Sequence, residues 1–172
     1  MQGKWIAGMI VAVAAVAGAA MYYLQVYYYY DPVPAGSLQI RLTSVSGVAE
    51  AIPAGEVEAI DANSSPIRFR ACFETPVSLA TLTETYELYE AAEPLTAPGW
   101  FSCFDAGAIG AALEDGSAVA FLGEENVHYG IDRVVAVMQD GRGYAWQQIN
   151  HCGEKVFDGE PAPEGCPPPP QE

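Results

Sequence analysis

Ile131-Asp132-Arg133-Val134-Val135-Ala136-Val137-Met138 and Gly143-Tyr144-Ala145-Trp146-Gln147-Gln148-Ile149 flank Asp140-Gly141-Arg142. Two runs rich in β-branched and aromatic residues about an Asp-Gly turn predict a β-hairpin. Upstream, Ala118 to Leu122 reads as a fully apolar strand, and Glu124 to Gly130 as a loop. Asp105 is placed to cap a short helix over Ala106 to Asp115, with Gly116 as its stop. Trp100 to Phe104 reads as a strand, and Glu93 to Gly99 as a Pro/Gly loop.

Further upstream, Leu79, Leu82, Tyr86 and Tyr89 recur at three and four, which predicts a helix within Pro76 to Ala91. Ile67, Phe69, Ala71 and Phe73 alternate with polar residues, a strand pattern repeated at Leu38, Ile40 and Leu42 and more weakly over Glu56 to Ala59. The order β-β-β-α-β-α-β-β-β predicts one α+β domain with a mixed sheet and two helices. Its bounds are 37–150, after a stiff Pro/Gly linker over 31–36. A Pro-rich tail over 151–172 is expected to be irregular, ending in Pro167 to Pro170.

Residues 1–30 differ in kind. Trp5 to Val26 carries no charge, and its 22 residues span roughly 33 Å as a helix, the thickness of a bilayer core. Trp5 marks one interface; Tyr22, Tyr23, Tyr27, Tyr28, Tyr29 and Tyr30 crowd the other, where a ring wants lipid and its hydroxyl wants water. Lys4 is the one cation near the segment, so the positive-inside rule puts the N-terminus in the cytoplasm and the domain in the periplasm. A cleaved signal peptide is the competing reading, with Ala17-Gly18-Ala19 resembling a cleavage site, but hydrophobicity continues past it through Leu24 and Val26. Gly8 and Ala12, and Ala14 and Gly18, lie four apart, a small-residue face against which a second helix could pack in lipid.

The four cysteines, Cys72, Cys103, Cys152 and Cys166, all lie beyond this segment. An even count in an exported domain predicts two disulfides, with three pairings possible. Cys72 and Cys103 each precede a Phe and an acid, Cys72-Phe73-Glu74 and Cys103-Phe104-Asp105, and read as equivalent ends of neighbouring strands. That pairs them with each other and leaves Cys152 with Cys166. His151-Cys152 could bind copper or zinc, but two adjacent ligands do not make a site.

From Asp31 onward six cations face 22 carboxylates, a net charge of −16. Such a surface argues against binding to a nucleic-acid backbone or to anionic lipid head groups, and admits a basic protein surface or divalent cations as partners. No GxSxG, HExxH, Walker A, GxGxxG or CxxC occurs. His128 and Asp132 could pair, with no nucleophile beside them, and no catalytic residue, cofactor or metal ligand set is assigned. Asp140, Asp158 and Glu160 offer oxygen ligands without a calcium-loop pattern.

The stretch Gly130 to Val137, followed by Asp140 to Asn150 and Cys152-Gly153, together with the tyrosine-ended anchor, resembles an uncharacterised family of single-span alphaproteobacterial envelope proteins. The resemblance implies a periplasmic location and carries over no catalytic residue. The expected role is a non-enzymatic accessory subunit or assembly factor of an inner-membrane complex, such as an electron-transfer complex receiving a basic carrier. The alternative is a periplasmic ligand-binding or sensing domain acting through a partner helix.

Overall fold

A computed structural model describes residues 2–34 and 36–170. Met1 of the expected anchor, Ala35 of the expected linker, and Gln171 and Glu172 of the expected tail lie outside the described residues. The first helix, α1, covers Gln2–Tyr23 and widens into a π-helical turn over Leu24–Tyr28. The segment Gly3–Tyr28 is long and apolar enough to cross a membrane, and none of it is buried in the protein.

Eight strands follow: β1 (Asp31–Pro32), β2 (Arg41–Thr43), β3 (Ala49–Ala51), β4 (Gly55–Asp61), β5 (Arg70–Glu74), β6 (Ala118–His128), β7 (Ile131–Met138) and β8 (Arg142–Ile149). Between β5 and β6 lie α2 (Leu79–Thr85) and α3 (Ala106–Asp115), and α4 (His151–Phe157) follows β8. The main sheet runs β1-β4-β5-β8-β7-β6, and β2 and β3 form a separate pair. The class is α+β, but every described ladder is antiparallel rather than mixed. The physical reason is connectivity: β6, β7 and β8 form two tight hairpins, and a parallel neighbour needs a longer crossover.

The central strands bury both faces. On β5, β7 and β8, Ala71, Phe73, Val135, Val137 and Ala145 point to one core, and Cys72, Val134, Ala136, Tyr144 and Trp146 to the other. The first core is closed by Ile40, Leu42 and Leu82, the second by Phe101, Phe104 and Ile109. Period-two alternation sorts the side chains, so a strand covered on both sides reads as a continuous apolar run. Gly143 sits where Phe73 crosses it, and an added Cβ would run into the Phe73 ring. Gly143→Ala is therefore expected to cost about 1–3 kcal/mol by overpacking. A urea midpoint within error of the wild type would show that the ring moves freely.

Four local readings change, each for a tertiary reason. The helix predicted within 76–91 ends at Thr85, because the next residues find strand partners. Glu87 N donates to Thr43 O at 2.8 Å, Tyr89 N to Ala120 O at 2.9 Å, and Leu122 N donates to Glu87 O at 2.9 Å. Trp100 to Phe104 is a chain of turns, not a strand; Phe101 and Phe104, three apart, both drop into the second core. The predicted loop over 124–130 is mostly strand, with β6 reaching His128 through two register shifts. The start of the tail is helical: Asn150 caps α4, its Oδ1 accepting from Cys152 N and Gly153 N at 3.0 Å each.

Candidate functional site

A cleft of about 340 Å³ opens between the 89–95 segment and the start of α4, lined among others by Tyr89, Glu93, Gln148, Asn150, His151 and Glu154. Each wall has a local cause. Gln148 is aimed by a hydrogen bond from Trp146 Nε1 to its Oε1 at 3.0 Å, and it holds the facing segment by donating to Ala91 O at 2.8 Å and accepting from Glu93 N at 2.9 Å. Arg70, buried in the sheet, pins the next stretch through Leu95 O at 2.8 Å and Thr96 O at 3.2 Å. Burial pushes its guanidinium down to about 10, partly offset by Tyr30.

Beneath the cleft lies Asp132, 6% exposed. Its Oδ1 accepts from Asn126 N at 2.9 Å and Asn150 Nδ2 at 2.7 Å, and its Oδ2 from the Tyr89 hydroxyl at 3.2 Å. Burial raises the Tyr89 phenol well above its usual range, and the Asp132 charge and hydrogen bond push it further in the same direction. A group with a raised folded pKa stabilises the fold fully below its unfolded value and loses that contribution above it. With an unfolded value of about 10, the domain should lose stability as pH rises beyond it. Tyr89→Phe should flatten that alkaline slope. Urea midpoints from neutral pH to pH about 11 test this, and equal slopes in both proteins would refute it.

The start of α4 is seated on the sheet by backbone contact. Gly130 has φ +72° and lies so close to Gly153 that a Cβ on either would strike the other's backbone. Asn150 N donates to Gly130 O at 2.9 Å, and Gly130 N to Asn126 Oδ1 at 2.9 Å. His151 is thereby left exposed at the mouth, against a disulfide. Its Nε2 lies 3.5 Å from Cys152 Sγ and 3.4 Å from Cys166 Sγ.

The structure joins Cys72 to Cys103 and Cys152 to Cys166. Cys72 lies within β5 and Cys103 in the turns after Trp100, so the bridge ties a strand to its covering loop rather than two neighbouring strands. His128 is exposed and lines a different groove with Asp61 and Gln147, and Asp132 faces Tyr89 and the two asparagines instead. Asp140 pairs with Arg142 at 2.7 Å and Glu160 with Lys155 at 3.2 Å, so these carboxylates are apart and occupied. Gly8, Ala12, Ala14 and Gly18 are exposed along α1, as are Trp5, Tyr22, Tyr23, Tyr27, Tyr28 and Tyr29.

Tyr30 is partly covered because the helix end is fastened to the domain. Trp100 Nε1 donates to Val26 O at 2.6 Å, and the Trp100 ring meets Tyr30 edge-on at 6.1 Å. The Arg68 guanidinium lies over Tyr29 at 5.9 Å and Tyr30 at 5.3 Å. No local signal in the sequence marks this seam or the cleft, since each joins residues far apart in the chain.

No curated protein and no solved structure matches the chain. A family model matches residues 40–167, from the strand-forming core through the second disulfide. The chain belongs to that family, a family of unknown function (DUF6446).

Proposed function

We propose that this chain is a single-span inner-membrane protein with a periplasmic domain, serving as a non-enzymatic accessory subunit of a larger membrane complex. The observation that carries this reading is the seam between α1 and the domain. A passive tether needs only a flexible linker. Here Trp100, Tyr30 and Arg68 bridge that linker and set the domain against the end of the apolar helix. Held this way, the −16 surface would be presented to a basic partner at one attitude above the bilayer, which raises encounter rates and fixes register. The small-residue face of α1 supplies a surface for a neighbouring helix.

Crosslinking in native membranes followed by mass spectrometry tests this reading. Crosslinks from residues near Gly8 to Gly18 to another membrane protein, with co-purification in mild detergent, are expected. Recovery as a solitary monomer would overturn it. A reporter fused at the C-terminus checks the orientation separately. The cleft beside Tyr89, His151 and Glu154 favours a second reading, a periplasmic ligand-binding domain signalling through a partner helix. A bound small molecule retained through purification would select that one.

A further inference from the structure

We propose that His151, Cys152 and Cys166 form a redox-gated binding site for a thiophilic d10 metal ion of the Zn(II) or Cu(I) kind, open when their disulfide is reduced and closed when it forms. In sequence His151 and Cys152 are two adjacent ligands; the fold adds Cys166, and the three ligand atoms lie within 4.8 Å of one another. Two thiolates and an imidazole are the donor set that such ions prefer.

The spacing fits the ion. With Zn–S near 2.3 Å and Zn–N near 2.05 Å, the nitrogen-to-sulfur edge of a tetrahedral site is about 3.6 Å. His151 Nε2 already stands 3.5 and 3.4 Å from the two sulfurs. Once the bond between the two sulfurs opens, they need to stand about 3.8 Å apart, the corresponding edge for two Zn–S bonds. Three protein ligands suit trigonal Cu(I), or Zn(II) with one further position open.

The ligands do not depend on the disulfide alone for their placement. Asn150 and the Gly130–Gly153 contact hold the helix end that carries His151 and Cys152. The Tyr129 hydroxyl donates to Pro167 O at 2.9 Å, one residue beyond Cys166.

Reduction proceeds by exchange with a dithiol. Its thiolate attacks the partly exposed Cys166 sulfur, the bond to the buried Cys152 breaks, and Cys152 leaves as a thiolate. The second thiol of the reductant then closes on the mixed disulfide and releases Cys166. Two electrons have passed to the protein, and the reductant departs as its own disulfide. Metal binding then displaces to solvent any proton the two cysteines have taken up.

The surroundings also separate the two disulfides. Cys72 and Cys103 line a groove with Glu56, Glu58 and Glu74. The groove's one cation, Arg142, is already paired with Asp140. An anionic thiolate is repelled there, and at Cys166 it meets an imidazole.

The full chain in detergent, treated under inert gas with limiting phosphine so that mass mapping finds Cys152 and Cys166 free and Cys72–Cys103 intact, is titrated with Co(II) as a spectroscopic stand-in and then with competing Zn(II). One equivalent of Co(II) should bind with thiolate-to-metal charge-transfer absorption, and Zn(II) should displace it. His151→Ala, at an exposed position, should weaken binding at least tenfold. Cys166→Ser should remove most of the charge-transfer intensity, and the oxidised chain should bind no Co(II). Equal affinity in His151→Ala and the wild type would overturn the proposal, as would no binding to the reduced chain. Loss of the circular dichroism of the fold on reduction would overturn it too, because the ligands come together only on the folded sheet. None of these readouts depends on a membrane partner.

Discussion

Replacing Asp132 with alanine is expected to destabilise the domain by about 3–5 kcal/mol, the cost of taking the shared acceptor away from buried hydrogen-bond donors. For a chain of this size that corresponds to a fall of roughly 10 °C or more in Tm. The carboxylate, on β7, ties together three segments of the chain. They are the Asn126 bulge of β6, the Asn150 cap of α4, and Tyr89 on the strip between α2 and α3. Alanine leaves a backbone N–H, an amide and a phenol without their acceptor, each costing about 1–3 kcal/mol where water cannot replace it. Asp132→Asn keeps the shape but offers one acceptor oxygen to three donors, so an intermediate loss is expected. Thermal and urea unfolding of both variants in detergent would measure this. A loss below about 1 kcal/mol for the alanine variant would mean that water already satisfies these donors.

Such a loss would also loosen α4, and with it His151 and Cys152. The cleft and the disulfide beside it therefore depend on a residue that neither lines the cleft nor touches a sulfur. Active and binding surfaces commonly rest on a rigid support of this kind.

The sequence reveals the parts of this molecule that obey local rules. The β7–β8 hairpin is legible because Asp140 and Gly141 make the turn, with Gly141 at φ +89°. The helix α3 is legible at both ends. Asp105 accepts from Ala108 N at its start, and Gly116 takes φ +76° at its end. What fails locally is governed by partners elsewhere. Tyr86 and Tyr89 carry a helical spacing, yet their segment is drawn off the helix by the open edges of β2 and β6. Phe101 and Phe104 belong to no strand because the sheet needs a lid more than a further strand.

The cleft is harder still to read from the sequence. Tyr89 meets Asp132 across 43 positions, and Gln148 meets Ala91 across 57. Neither pair sits at a spacing that any secondary structure repeats. The one available clue is chemical: Asp132 and Gln148 are polar residues set into strand runs rich in apolar side chains. Polar groups in such positions need partners, though the sequence does not name them.

Removing the Cys72–Cys103 bridge as a double alanine variant is expected to cost about 4 kcal/mol, against about 3 kcal/mol for Cys152–Cys166, from loop closure alone. The sequence separations, 31 and 14, set that order. Packing should widen the gap. Cys72 belongs to the second core, together with Phe101 and Phe104, and the partly buried Cys103 packs against it. Phe104 meets Tyr144 edge-on at 5.9 Å and Trp146 at 6.3 Å, contacts that hold only while the 101–104 turns stay down. Trp100, the next residue along, fastens α1 to the domain through Val26. Loss of this bridge should therefore free both the lid and the seam. Crosslinking between Val26 and Trp100 positions should fall in the Cys72→Ala/Cys103→Ala protein and persist in Cys152→Ala/Cys166→Ala. Equal urea midpoints for the two double variants, or an unchanged seam in the first, would show that the lid holds by packing alone.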